Sequence, residues 1–283
     1  MTRTLPLVIA VGCALAAGCK QHKQSDEVHV SQPASAEMTV GAASSVERYG
    51  ERAAGSCAGV PDDAALQRLL DRAVTEGEAG GFANGRNEWA AVVDREGRVC
   101  ALVASSKDKA ATWPGSKAIA LAKAFTANAF SSDSTPMSTA RLYTLSLPGH
   151  SLWGAGAGNP LDPGCLSAPS QGAPIGRVCG GTIAFGGGLP LYQGRSRVGG
   201  LGLSGDTPCA DHEIAKRIRQ DGRLDPEAGG LVDDIVYPSV DGPSVYAHPL
   251  CANTWRNGKH LGDEPPEGAA SRPAFAAASA ASR

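Results

Sequence analysis

A thiol and an imidazole three positions apart, Cys209 and His212, and a second imidazole in a glycine-rich stretch, His150, are the side chains here best suited to bond-making chemistry. An imidazole titrates near neutral pH and ligates metals through its unprotonated nitrogen. A thiol acts as nucleophile or ligand only as the thiolate, and three residues from His212 on a helix Cys209 can as easily close a disulfide. Just upstream runs Cys179 to Cys209, C-G-G-T-I-A-F-G-G-G-L-P-L-Y-Q-G-R-S-R-V-G-G-L-G-L-S-G-D-T-P-C. Its glycines admit three readings: a phosphate cradle, the turn of a nucleophile, or strands folded round a ligand. The spacing is neither GxxxxGK(S/T) nor a strand followed by GxGxxG opening a helix, so both nucleotide-loop signatures are absent. Leu203-Ser204-Gly205-Asp206 lacks the GxSxG elbow of a seryl hydrolase. Glycines in such strands mark bulges or the close approach of a backbone or ligand. No catalytic residue is assigned.

The elements that must position these residues are legible from periodicity. Pro61 and the two aspartates after it suit a first helical turn, and Leu66, Leu69, Leu70, Ala73 and Val74 make one apolar stripe. Trp89-Ala90-Ala91-Val92-Val93 and Arg98 to Val103 read as a hairpin turning at Asp94-Arg95-Glu96-Gly97. Ser116 is the expected cap of a helix from Lys117 to Phe130, whose small residues allow tight packing on a sheet or beside a flat ligand. Ser131 to Arg177 is loop-rich, as functional or bridged loops are. Thr182 to Phe185, Leu189 to Tyr192 and Val198 to Leu203 read as strands. Thr207 or Asp206 then caps a helix opened by Pro208, with Ile214, Ala215 and Ile218 inward.

The start of the chain sets an expected address. A basic Met1-Thr2-Arg3-Thr4, an apolar run from Leu5 to Gly18, and small residues before Cys19 predict a lipoprotein signal over 1–18 with lipidation at Cys19. That run is shorter than the roughly 20 residues a spanning helix needs. Residues 19–56 read as a flexible tether, 57–222 as one domain, 223–262 as an extension packed on it, and 263–283 as a disordered tail. Setting aside Cys13 and Cys19 leaves Cys57, Cys100, Cys165, Cys179, Cys209 and Cys251, which can pair in 15 ways. None is spaced as CxxC, so no zinc ribbon or redox dithiol is signalled. An extracytoplasmic chain, lipid-anchored to a bacterial membrane, with structural disulfides is therefore expected. A formal net charge of -2 excludes the concentrated basic footprint of a nucleic-acid binder.

Several segments, in order, resemble the GlcG/HbpS-like haem-binding family: Val92 to Gly97, Gly115 to Ala127, Gly187-Gly188-Leu189-Pro190-Leu191, Val198 to Thr207, and Asp211-His212-Glu213-Ile214-Ala215. The resemblance covers roughly Pro61 to Arg219. It implies a single α/β (α+β) domain, a mostly antiparallel sheet with packed helices, assembly as a homo-oligomer, and haem or another tetrapyrrole as ligand. The chain departs from the family in Ala104 to Trp113, in a longer 131–177, and in an added region ending at Cys251. Haem needs a flat apolar slot, basic partners for its propionates and axial donors. His212 and His150 are the axial candidates, with Tyr143, Met137 and His248 in reserve. Lys117, Lys123, Arg195 and Arg197 are the propionate candidates, and Trp113, Gly187, Gly188 and Thr207 the pocket lining. The expected function is a membrane-tethered haem-binding protein that stores, relays or senses its ligand. Its rivals are a haem-dependent peroxidase or acid–base enzyme in the same pocket, and an envelope interaction domain without cofactor.

Overall fold

The structure, a computed structural model, describes residues 57–166 and 173–264. The expected signal, the tether with Cys19, His22 and His29, and the tail beyond residue 264 lie outside them. Among the described residues no helix is long and apolar enough to cross a membrane.

Helix α1 (Asp63–Thr75) starts where Asp62 accepts a hydrogen bond from the Ala65 amide, and it buries Leu66, Leu70 and Ala73. Strands β1 (Trp89–Asp94) and β2 (Val99–Ala104) form the expected hairpin. Helix α2 (Ser116–Ala129) follows, then β3 (Gly188–Gln193), β4 (Ser196–Ser204) and helix α3 (Pro208–Asp221). The sheet order is β2-β1-β4-β3, antiparallel throughout. A small hairpin, β5 (Thr254–Arg256) and β6 (Lys259–Gly262), closes the described chain.

Strand β1 is buried along its whole length because helices cover both faces of the sheet. Ala90 and Val92 pack with Leu66, Leu70, Ile214 and Ile218 from α1 and α3. Trp89, Ala91 and Val93 point the other way, onto Ala120, Leu121 and Ala124 of α2. Pro190 sits in β3, an edge strand, where its missing donor costs no ladder bond.

The glycines of β4 serve this layering. A Cβ at Gly202 would run into the Ala120 carbonyl, and one at Gly200 into that of Ala124. Both positions exist so that the backbone of α2 can lie directly on the strand. Of the two expectations for the small-residue helix, tight packing on the sheet holds, and the helix itself fills the space where a flat ligand would lie.

Two local expectations are corrected. Ser116 is the first helical residue, not the cap; Gly115 stands at that position without a side-chain bond. Thr182 to Phe185 is not a strand, because side chains take up its backbone groups. The Ile183 amide donates to Thr126 Oγ1 at 3.0 Å, and Thr139 Oγ1 donates to the Phe185 carbonyl at 2.6 Å.

Candidate functional site

One end of the sheet, where β1 begins and β4 ends, gathers a cluster of buried polar groups. Trp89 pairs with Ser204 there, and α3 begins beyond Thr207, whose side chain accepts from the Ala210 amide at 3.3 Å. The Asp206 carboxylate accepts from the amides of Phe82 and Ala83, each at 2.7 Å, and so pins a glycine-rich loop from another part of the chain. Asp211 Oδ1 accepts from the Asp206 amide at 2.9 Å, and its Oδ2 takes the Lys123 ammonium at 2.5 Å. Lys123 also donates to the Leu203 carbonyl at 2.8 Å.

Glu88 lies against this pair, wholly buried. Neither of its carboxyl oxygens accepts from a donor. The neighbouring Asp211 carboxyl can share a hydrogen bond with it only when a proton sits between the two. Burial, then the charge of Asp211, holds the Glu88 pKa well above the usual carboxylate range. Burial raises Asp211 as well, against the opposing pull of Lys123.

Along α3 the polar side chains are committed to the arm that follows the helix. His212 Nδ1 accepts from the Gly187 amide at 3.4 Å, and Nε2 faces Asp234 Oδ1 at 3.2 Å. Lys216 donates to Asp234 at 3.0 Å and to Asn257 at 2.9 Å. Arg219 makes a forked pair with Asp233 at 2.8 and 2.9 Å. Burial alone would raise the Asp234 pKa, but the hydrogen bond of His212 and the Lys216 ammonium hold it below the ordinary aspartate value.

Above the buried network lies an exposed aromatic ledge. Phe82, on the loop that Asp206 pins, stacks on Trp113 with ring centroids 6.4 Å apart and planes 24° from parallel. Both rings face solvent, 71% and 57% exposed. In the loop that carries Trp113, Thr112 Oγ1 accepts from the Trp89 indole at 2.9 Å. The ammonium groups of Lys109 and Lys117 sit 5.6 and 6.0 Å from the Trp89 ring centroid. Lys109 is exposed, whereas Lys117 is buried. Desolvation, then the charge of Lys109, lowers the Lys117 pKa.

The structure does not bring the sequence-derived haem set together. His212 is buried with both ring nitrogens engaged, and an iron there would have to break the Asp234 contact that docks the arm. His150 is exposed in a turn of the loop-rich insert, and Met137 and Tyr143 are half-buried. His248 is buried, with Nδ1 against the Pro249 carbonyl at 2.7 Å. Lys123 is spent on Asp211 in the core. Arg195, in the β3–β4 turn, pairs with Glu227 at 3.3 Å, and Arg197 binds the Asn128 side chain. Arg197 and Ser204 stand seven positions apart on β4, about 24 Å at ~3.4 Å per residue. The arginines therefore sit at the opposite end of the sheet from Trp113. Gly187 and Gly188 are buried where a side chain would strike Lys123, Asp211 and Thr139, so they line packed interior, and Thr207 is a helix cap.

A tetrapyrrole thus fits no slot between α2 and the sheet. The ledge offers two exposed aromatic faces, with the exposed Lys109 in the loop that carries Trp113. Sequence reasoning missed Phe82 and Lys109, since neither lies in a periodic or recognisable motif.

The six cysteines close three bridges: Cys57 to Cys100, Cys165 to Cys179, and Cys209 to Cys251. Among the described residues one cleft, of about 320 Å³, is polar and lined by Lys216, Arg219, Gln220, Asp225, Leu231 and Asn257 among others. It is no haem slot, since its walls are charged and committed to the arm.

The family model described as haem degrading protein HbpS-like matches residues 62–219. No curated protein matches the chain. Among solved structures, the chain is similar to the Klebsiella pneumoniae protein ORFY. The two share 22% identity over 56% of this chain and 85% of that one, with a TM-score of 0.40. PduOC, solved as a haem complex, is 22% identical over 55% and 88%, at a TM-score of 0.39. HbpS is 23% identical over 56% and 86%, at 0.36.

Proposed function

From the premise that the chain belongs to the HbpS-like family, we propose that it takes up haem or a related planar tetrapyrrole outside the cytoplasm, storing, relaying or sensing it. The ligand lies on the Phe82–Trp113 ledge, with its carboxylates toward Lys109. One observation carries this placement: two large rings stacked in the open beside a loop bearing an exposed ammonium, on a domain in which α2 closes the space against the sheet. Exposed aromatic faces of this kind recruit flat ligands by offset stacking. Three disulfides support an oxidising compartment. The small residues before Cys19 support a lipid anchor at that position.

Titration of the oxidised chain with hemin tests the reading. A saturable Soret shift at one site per chain is expected, and Trp113→Ala or Phe82→Ala should weaken it about tenfold, the equivalent of one lost ring contact. Lys109→Ala should cost less and lose its effect in high salt. His150→Ala should bind as the parent does. Full-strength binding by the Trp113→Ala, Phe82→Ala double variant would remove the ledge from the argument. No saturable uptake at all would leave an envelope domain without cofactor.

The family's description favours a second reading, in which haem is consumed. Loss of the Soret band with release of ferrous iron, under ascorbate and dioxygen, separates that reading from storage.

A further inference from the structure

The Cys209–Cys251 bridge differs from the other two in its surroundings. His248 stands beside it, and one nitrogen of the imidazole and both sulfurs lie within 4.8 Å of one another, all three residues buried. We propose that opening this bridge creates a metal site, in which the two thiolates and His248 Nε2 hold a divalent zinc-like cation and leave a fourth position open.

The surroundings prepare the site. His248 Nδ1 donates to the Pro249 carbonyl at 2.7 Å, which fixes the proton on that nitrogen and leaves Nε2 as the lone-pair atom. A backbone carbonyl orients metal-binding imidazoles in the same way. Nε2 accepts from the Gly186 amide at a long 3.3 Å, a contact that an incoming cation displaces.

Cys209 lies in the first turn of α3, where free amides stabilise a thiolate. Its own amide donates to Cys251 Sγ at 3.2 Å. Cys251 is held in turn by Thr254, whose hydroxyl accepts from the Cys251 amide and donates to its carbonyl, each at 2.7 Å. Two thiolates and one imidazole with an open position are a recognised zinc donor set.

The arm that carries Cys251 and His248 does not depend on the bridge alone. Asp234 binds His212 and Lys216, and Asp233 binds Arg219, so the arm stays docked on α3 when the sulfurs part. The other cluster with two sulfurs, Cys57, Cys100 and Asp94, lacks this preparation. Asp94 already accepts from the Glu96 and Arg98 amides at 2.9 Å to form the hairpin turn.

The chemistry balances with a dithiol as reductant. It gives two electrons and two protons to the bridge and becomes a disulfide itself, and the cation then displaces the two thiol protons.

Expression of the full chain in a reducing cytosol, followed by anaerobic purification under dithiol, tests the proposal. The expected product is folded by circular dichroism and carries one zinc per chain. On exchange into Co2+ it should show thiolate charge-transfer bands and the visible bands of a tetrahedral site. Cys251→Ser and His248→Ala should lose those bands while Cys57→Ser keeps them. His248→Gln, checked for fold in its oxidised form, separates a lost ligand from a lost fold. A folded reduced chain without bound metal overturns the proposal, as do bands that survive His248→Ala. A reduced chain that fails to fold even with zinc present overturns it equally.

Discussion

The Glu88–Asp211 contact sets a pH dependence whose direction follows from burial. In the folded chain Glu88 keeps a proton that the unfolded chain releases near the ordinary glutamate pKa. The folded state binds more protons over that interval, so stability falls as pH rises from the ordinary value through the raised one. Glu88→Gln supplies the shared hydrogen permanently. Urea unfolding should show the variant about 1–3 kcal/mol more stable than the parent at mildly alkaline pH, with the gap closing on the acid side. Parallel stability curves across the pH range would refute the shared proton. Asp234 acts in the opposite sense: its lowered pKa gives stability that is present above the ordinary aspartate pKa and lost on acidification. Glu88 was invisible in the sequence, because an acid before a strand reads as a turn residue until the packing around it is known.

At the level of elements, the sheet and its three helices follow from apolar period and caps. The stripe of α1, the hairpin at Asp94, and Thr207 followed by Pro208 at the head of α3 all stand where residue pattern put them. What the pattern left open was the purpose of the glycines in β4. They accommodate the backbone of α2, so Gly202→Ala should press a methyl onto the Ala120 carbonyl and the Ala124 amide and destabilise the fold by about 1–3 kcal/mol. Gly158→Ala, whose new methyl meets nothing within 4 Å, is the matched control and should unfold with the parent. Equal urea midpoints for the two variants would mean that α2 can retreat from the sheet. The extra strand expected over Thr182 to Phe185 failed for a related reason: its backbone is satisfied by threonine side chains that belong to distant segments.

For the whole molecule, α3 is shared between the family domain and the arm after it. Its inward face carries Ile214, Ala215 and Ile218, and its polar residues His212, Lys216 and Arg219 bind the arm. The position that made His212 an attractive iron ligand is therefore a docking position. Lipidation at Cys19 and assembly of several copies remain proposals drawn from the chain's start and from the family. Fractionation of cells carrying the parent and Cys19→Ser should move the protein from the membrane to the soluble fraction, and light scattering on the released chain should report more than one copy. A Cys19→Ser chain that stays with the membrane removes the anchor, and a monomer at all concentrations removes the assembly.

Sequence alone determined the α/β class, the family, the main elements and a cysteine set able to close three bridges, because each depends on local period, caps or spacing. Tertiary structure decided which cysteines meet, which histidines are already engaged and where flat ligands find open aromatic faces. Those questions turn on residues far apart in the chain: Phe82 reaches Trp113 only because Asp206 holds its loop, and His248 reaches Cys209 only because the arm folds back on α3. No pattern within one segment carries the position of another segment's side chains.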